Sequence, residues 1–322
     1  MSYELTLFGN AQYEAFADML RHCPSRPDEQ TVARWRWWCF SNPYGGAFAV
    51  VRYGEEVVAT CYIGGKRVYI GGRHVAACEI GEASTVESHQ RKGLFSRLAR
   101  ACIDYAFQSQ ASFIYGTPNR QAVPGWRKLD LDILVEPSSW LLVVLNPGYW
   151  LAKAVPLVGG KPKRSAAGEI SADDYINKTE RFTRLNVSDR SYLAWRFTTG
   201  PFAYRFFELE SRGSVFLCAL RYGSLGRFPV LVCSEAFLEG RRPARAAAVR
   251  WLRLTARRFF ASGSYAGIYF HAPKPEGLSA AWLLLKGIVR HRELPICVKY
   301  PDPAPARPDW FTHFQLSDCD IG

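Results

Sequence analysis

The segment Gln90-Arg91-Lys92-Gly93 contains residue types that can hold a phosphate group. It lies between an extended run, Glu79–Val86, and a stretch, Leu94–Gln108, whose apolar spacing predicts an amphipathic helix. A glycine lets the backbone come close to a ligand, and the N–H groups that open a helix attract anions. Arg91 and Lys92 add two cations at the same position. Strand, basic turn and helix in this order therefore predict a pyrophosphate-binding site.

Two carboxylates, Glu79 and Glu82, stand in the extended run before the turn. A carboxylate among apolar residues can accept a proton from an ammonium group near neutral pH, because burial disfavours its charged form. Side chains alternate along a strand, so we expect these two on opposite faces. Each is a candidate general base, and an ion pair with a nearby arginine is the alternative role.

The turn resembles motif A of the Gcn5-related N-acetyltransferases (GNAT). That motif reads Gln or Arg, two residues of any type, Gly, any residue, then Gly or Ala. Gln90 and Gly93 stand at the matching positions, whereas Phe95 replaces the small last residue.

Further along, Ser112–Gly116 is predicted to be the next strand, and Asn119 and Ala122 are similar to the family's Asn-x-x-Ala run. The following Trp126–Leu129 resembles its Tyr-x-Lys-Leu segment, with Trp126 at the usual tyrosine and Asp130 at the usual glycine. The resemblance covers about residues 1–135.

The resemblance implies a binding site for acetyl-coenzyme A or another acyl-coenzyme A as co-substrate, without a metal ion. In this family the strand before the turn splays from its neighbour, so that its N–H groups face the pantetheine arm and the thioester oxygen. Ala83 N–H is then expected to polarise the carbonyl, Thr85 to pair with the pantetheine, and Asn119 to help hold it. The pyrophosphate is expected to contact mostly main-chain groups of Gln90, Arg91, Lys92, Gly93, Leu94, Phe95 and Ser96.

The resemblance also orders the candidates for proton transfer. Glu79 lies at the offset from Gln90 where the histone-acetylating members carry their general base, and Glu82 is its rival. Trp126 cannot protonate the departing thiolate as a tyrosine would. Tyr115, water or the acceptor's own proton are the substitutes, or activity has been lost. An indole stacks well on a sugar or a base, so Trp126 is a candidate substrate-binding residue.

Composition limits the class of protein. The chain has 322 residues, 48% of them hydrophobic, with a formal net charge of +12, which suits anionic ligands. A nucleic-acid partner has no support beyond that charge. The first 20 residues do not resemble a signal peptide, so we expect a cytoplasmic location. Nine scattered cysteines without CxxC spacing indicate reduced thiols rather than disulfides or metal ligands.

A repeat is visible along the chain. Trp35-Arg36-Trp37 precedes Asn42-Pro43-Tyr44, and Trp195-Arg196-Phe197 precedes Gly200-Pro201-Phe202. Extended runs follow in both places, then a long helix, Leu94–Gln108 or Pro243–Ala261. This order predicts an α+β (mixed α/β) fold with two GNAT-like units, each a mostly antiparallel mixed sheet flanked by helices.

The predicted boundaries are residues 1–145 for a domain with the acyl-coenzyme A site, 146–180 for a linker, and 181–322 for a degenerate second domain. The second copy has Pro243 where the basic glycine turn would lie, so we expect one donor site. The apolar stretch Trp140–Leu157 is broken by Asn146-Pro147-Gly148, and neither piece reaches the ~20 residues of a membrane span.

The function expected from these features is acyl-coenzyme A dependent N-acyl transfer directly to an amine of a small acceptor. The two-copy layout looks similar to bacterial acyltransferases of surface polysaccharide synthesis that act on amino-sugar nucleotides, which makes such a nucleotide one expected acceptor. A non-catalytic protein that keeps the fold and binds coenzyme A is the alternative.

Overall fold

The computed structural model describes residues 2–23, 27–70, 73–154, 168–180, 182, 189–211, 214–240, 245–261, 263–273 and 287–301. They fall into two compact units. The first takes the described residues within 1–135, 183–201 and 295–313, and the second takes those within 136–182 and 202–294.

The strands are β1 Tyr3–Gly9, β2 Gly46–Tyr53, β3 Glu56–Ile70, β4 Arg73–Thr85, β5 Ile114–Gly116, β6 Asp132–Leu145, β7 Glu169–Ile170, β8 Tyr204–Ser211, β9 Ser214–Leu225, β10 Phe228–Gly240, β11 Gly267–Pro273 and β12 Ile288–Lys299. The helices are α1 Tyr13–Arg21, α2 Glu29–Trp35, α3 Leu94–Gln108, α4 Val123–Arg127, α5 Pro147–Ala154, α6 Ala172–Thr179, α7 Arg190–Thr198 and α8 Arg245–Phe259. A π-helical turn, Arg36–Phe40, continues α2.

In the first unit the strands run in the order β1-β2-β3-β4-β5, and the end of β12 pairs with β5. All neighbours are antiparallel except β4 and β5, which are parallel because α3 carries the chain from one to the other. Leu94, Leu98 and Cys102, spaced one helical turn apart, form the buried face of α3. They pack on the apolar side chains of β2, β3 and β4 in one core cluster.

The second unit has the same kind of architecture. Its strand order is β6-β11-β10-β9-β8-β7, and β10 and β11 are its parallel pair. The helix between those two strands, α8, packs Leu252, Ala256 and Phe259 into a separate apolar cluster. The mixed α+β fold with mostly antiparallel strands in two units is therefore confirmed.

Helix α7 belongs to the first unit. The Trp195 and Trp37 rings stack with centres 4.6 Å apart, and each indole N–H donates to the other residue's carbonyl oxygen, at 3.1 and 3.2 Å. These tryptophans are 158 residues apart, and the same spacing separates β2 from β8 at both ends. The unit thus includes a helix that the sequence-based boundaries assign to the second domain.

The sequence predicted most elements but not all of their limits. The bounds predicted for α3 are confirmed, whereas β1 was not predicted. Adjacent glycines are typical of turns, so the sequence predicts a turn at Gly64 and Gly65. This prediction is wrong: both residues lie inside β3, paired with Glu79 and Cys78 of β4. The residues around Pro243 and residues 155–167 of the linker predicted at 146–180 lie outside the described residues.

Candidate functional site

The turn before α3 has the conformation that an anion site requires. Gly93 precedes the helix with φ +76°, in the left-handed region that favours glycine. Because it has no side chain, it leaves the N–H groups of the first turn uncapped. Nothing lies within 4 Å of a Cβ added there, so conformation rather than space requires the glycine. Arg97 N–H donates to Gly93 O as the first helical bond. The N–H groups of Leu94, Phe95 and Ser96 therefore have no partner within the helix.

Side chains fix this turn to the strands beside it. Gln90 Nε2 donates to Thr85 O at 3.2 Å, which ties the turn to the end of β4. Tyr3 Oη lies 3.0 Å from His89 Nδ1, and Lys92 Nζ lies 5.8 Å from the centre of the Tyr3 ring. Arg91 and Lys92 are exposed. The turn thus presents two cations and the opening of a helix to solvent.

Strands β4 and β5 diverge just before the turn. They pair only at Cys78–Ile114 and Glu79–Tyr115, and β4 then continues along β3 alone. Val86 N–H donates to Val58 O of β3, at 2.9 Å. Since N–H directions alternate along a regular strand, the N–H group of Thr85 is directed away from β3, toward the side where β5 no longer pairs. This is the place where the thioester was expected.

An irregularity in β4 shapes that opening. The register with β3 shifts between Thr60 and Tyr62, and Glu82 on the facing segment has φ +47°. Ser84 Oγ and Thr60 Oγ1, 2.8 Å apart, hold the strands together beyond the bulge. The bulge changes the side to which successive N–H groups point.

Glu79 lies in a buried ion pair. Its Oε2 is 2.9 Å from Lys66 Nζ, and both side chains are almost inaccessible, with exposures of 4% and 1%. Lys66 Nζ also donates to Tyr192 Oη of α7 at 3.2 Å. In this conformation the carboxylate neutralises an internal cation.

Glu82 is the more accessible carboxylate. It lies 3.5 Å from Arg34 Nη2, and both side chains are about 30% exposed. Tyr115, by contrast, is fully buried beside Glu79. The structure thus brings Glu82 and Ala83 together at the bulge and leaves Tyr115 inside the unit.

Phe95 and Trp126 form a packed pair. Their ring centres are 4.9 Å apart at an interplanar angle of 75°, and the Phe95 ring occupies the space beside Gly125, where an added Cβ would lie 2.7 Å from it. The Phe95 side chain is therefore directed into the core while its N–H belongs to the first turn of α3. Trp126 is 3% exposed, so its ring is covered in this conformation, and its role in substrate binding stays a prediction.

Asn119 lies in the turn that precedes helix α4. Its Oδ1 accepts from Ala122 N–H, three residues further on, at 2.9 Å. The carboxamide is fixed by this bond, and it remains a proposed contact for the pantetheine arm.

Cysteine chemistry has little support near the bulge. Cys78 precedes Glu79 on β4 and is buried, and burial raises the pKa of its thiol to about 12 despite the opposing effect of Lys66. A thiol with so high a pKa is a poor nucleophile near neutral pH. Within the described part of the chain, no group of three His, Cys, Asp or Glu side chains could hold a metal ion.

Three residues at this site were missed from the sequence. Arg34, Lys66 and Tyr192 bind or approach the two carboxylates, but nothing in their local sequence indicates such partners. The register of β3 on β4 and the positions of α2 and α7 bring them there. No helix among the described residues is both long and apolar enough to cross a membrane.

Comparisons with known proteins agree with this geometry. Residues 12–130 match the acetyltransferase (GNAT) family. A search of curated proteins found no significant match. Among solved structures, a conserved protein of Enterococcus faecalis V583, described as a probable N-acyltransferase, aligns with a TM-score of 0.57 and 11% identity over 93% of this chain and 73% of that one.

A second similar structure is a GCN5-related N-acetyltransferase of Anabaena variabilis. It aligns with a TM-score of 0.55 and 9% identity, again over 93% of this chain and 73% of the other. At these identities the likeness shows a shared fold.

Proposed function

Because residues 12–130 form a GNAT-family acetyltransferase domain, we propose that the chain transfers an acyl group from acyl-coenzyme A directly to an amine. Acetyl-coenzyme A is the proposed donor. The raised pKa of the Cys78 thiol supports direct transfer over an acyl-cysteine step at this strand.

The turn at Gln90–Ser96 carries this proposal. Left-handed Gly93 leaves the N–H groups of Leu94, Phe95 and Ser96 for the pyrophosphate, and the α3 dipole favours negative charge there. Arg91 and Lys92 supply the neutralising cations. The Phe95 side chain is compatible with this role because it packs on Gly125, away from its own N–H group.

The opening between β4 and β5 supports the placement of the thioester. Ala83 N–H would donate to the thioester carbonyl and stabilise the charge that develops on its oxygen. The N–H of Thr85, one step nearer the turn, would bind the pantetheine arm together with Asn119. Ala83 belongs to the bulge, and Thr85 lies between the bulge and the turn, on a strand held by β3.

Proton transfer is proposed to use Glu82. Glu82 first takes a proton from the ammonium group and passes it to solvent. The neutral amine nitrogen then bonds to the carbonyl carbon, the carbon–sulfur bond breaks, and the nitrogen gives up a second proton as the thiolate gains one. Glu82 is accessible and adjacent to Ala83, whereas Glu79 is buried against Lys66. The thiolate would take its proton from water or the acceptor, since Trp126 has no acidic proton and Tyr115 is buried.

A small amine is the proposed acceptor, with an amino-sugar nucleotide as one candidate. The net charge of +12 supports an anionic acceptor. The second candidate function is coenzyme A binding without catalysis. It is favoured because Tyr115 is buried and position 126 is a tryptophan, so neither offers an accessible phenol to protonate the thiolate. Thiol release from acetyl-coenzyme A with a panel of amines distinguishes the two.

Calorimetric titration with coenzyme A tests the donor site through Gly93→Asp. The new carboxylate would face the pyrophosphate, so we expect the dissociation constant to rise by more than about tenfold. Gly226→Asp is the matched control, because Gly226 also has positive φ (+58°) and open space around an added Cβ. It reproduces the backbone strain far from the turn in sequence. Unchanged affinity in folded Gly93→Asp would contradict the proposal.

A further inference from the structure

Arg34, Trp38 and Glu82 form a polar cluster beside the bulge of β4. The Arg34 guanidinium lies 5.2 Å from the centre of the Trp38 ring and 3.5 Å from Glu82 Oε2. Trp38 stacks on Tyr62 of β3, with ring centres 5.3 Å apart and planes 13° from parallel. Arg34 and Glu82 reach solvent, whereas Trp38 is 1% exposed. The cluster therefore has a buried base and an accessible rim.

Two hydrogen-bond donors in this cluster have no acceptor among the residues that the structure describes. Among the described residues, neither Trp38 Nε1–H nor Arg34 Nε–H has a hydrogen-bond partner, although both atoms are buried. Buried donors are nearly always paired in native proteins, because leaving one unpaired destabilises the fold. Two such donors on side chains that contact each other indicate a place for an oxygen atom.

The backbone is unusual on both sides of the cluster. Trp38 lies in the π-helical turn, closed by Ser41 N–H donating to Arg36 O at 2.9 Å. Such turns are rare in proteins overall, and those that occur are often found at functional sites. Glu82 has φ +47°, which a glutamate adopts only under constraint. Two strained segments thus bring one donor pair and one carboxylate together.

We propose that Arg34, Trp38 and Glu82 recognise the acyl acceptor, an inference that rests on the proposed transfer function. Glu82 binds the ammonium group beside Ala83. The two N–H donors that lack a partner bind an oxygen on the carbon next to the amine-bearing carbon. The acceptor class is therefore a primary amine with a neighbouring hydroxyl or carboxylate oxygen, as in amino alcohols, amino sugars and α-amino acids.

Amines that differ only in that oxygen test this inference. With acetyl-coenzyme A, 2-aminoethanol is expected to exceed propylamine in kcat/KM by at least about tenfold, because propylamine would leave the donors unpaired. Comparison of glucosamine with glycine as acceptors then shows whether the recognised oxygen belongs to a hydroxyl or to a carboxylate group. Transfer to propylamine and 2-aminoethanol at equal rates would overturn the inference and leave the transferase function standing. Binding of coenzyme A without transfer to any amine, amino-sugar nucleotides included, would overturn both.

Trp38→Phe removes the donor and keeps an aromatic ring on Tyr62. The variant also loses part of a buried indole, so the cavity is expected to lower its thermal midpoint. The preference for the oxygen-bearing amine should fall by about tenfold. A purely structural role would lower the midpoint but leave the preference intact.

Trp35→Phe is the matched control. Its indole N–H is also buried without a partner among the described residues, but its ring packs on Phe16 and Phe48. This variant should keep the amine preference. If Trp38→Phe does not fold, Arg34→Met tests the same preference through the second donor. Wild-type selectivity in the folded Trp38 or Arg34 variant would refute the proposed recognition.

Discussion

Lys66 separates the roles of the two carboxylates of β4. At the residue scale, a general base needs access to the acceptor, and Glu79 is buried against a buried lysine. Removing one partner of a buried ion pair leaves the other as an uncompensated charge. The pair is therefore expected to contribute to folding, and Glu82 to be the residue that meets the acceptor.

Glu79→Gln is predicted to lower the free energy of unfolding by about 3–5 kcal/mol, because Lys66 would keep its charge in a buried position. Lys66→Met together with Glu79→Met should restore stability to within about 1.5 kcal/mol of the wild type, since apolar side chains of similar volume replace both ions. Urea denaturation of the three proteins measures this. A single variant as stable as the wild type would show that the pair has no structural role.

The local conformation of the turn could be predicted from sequence, but the partners of the carboxylates could not. Gly93 and the basic residues around it are contiguous, so their spacing already predicts a helix opening for an anion. The Lys66–Glu79 pair depends on the register in which Gly64 faces Glu79, and Tyr192 is 126 residues from Lys66. No local pattern contains that information.

At the scale of elements, glycines explain both a success and a failure of prediction. Gly93 marks the start of α3, whereas Gly65 lies within β3, where a Cβ would be 2.1 Å from Tyr44 O. The second glycine permits another backbone segment to approach the strand. Turn and close approach use the same residue type, so the sequence alone predicted a turn at both.

Helices α3 and α4 are predicted to be coupled through Phe95 and Gly125. Gly125→Ala would place a Cβ 2.7 Å from the Phe95 ring, and such overpacking should lower the free energy of unfolding by about 1–3 kcal/mol. Adding Phe95→Leu should recover part of this loss, with a coupling energy of about 0.5–3 kcal/mol in a double-mutant cycle.

Gly9→Ala is the control for this cycle, because its added Cβ meets only ordinary contacts at 3.7 and 3.8 Å. It should show no coupling to Phe95. Strictly additive effects of Gly125→Ala and Phe95→Leu would mean that the two helices adjust independently.

At the scale of the whole molecule, α7 makes the first unit discontinuous in sequence. Asp189 caps this helix through the N–H groups of Ser191 and Tyr192, and its carboxylate accepts from Tyr44 Oη. Burial acts to raise the pKa of Asp189, but hydrogen bonds from Ser191, Tyr44 and Tyr192 outweigh it and hold the pKa below its usual value.

Asp189→Asn is predicted to remove a pH-dependent part of the stability. A carboxyl group whose pKa is lowered by folding stabilises the protein above its unfolded pKa of about 3.9, and the effect is lost as pH falls through the lowered value. The difference in free energy of unfolding between wild type and variant should therefore be full above about pH 5 and shrink below about pH 4. Denaturation at pH 3 to 7 measures it, and a difference that persists unchanged at pH 3 would contradict this assignment.

Discontinuity of the first unit has a consequence for the order of events during synthesis on the ribosome. Residues 1–135 leave the ribosome first, but Trp195 of α7 and Cys297–Lys299 of β12 complete their packing and pairing. At about 5–20 residues per second, those segments emerge many seconds after the turn that is proposed to bind coenzyme A. Until those segments emerge, Trp37 and the edge of β5 stay uncovered in the nascent first unit. We therefore expect chaperones to bind the growing chain at this stage.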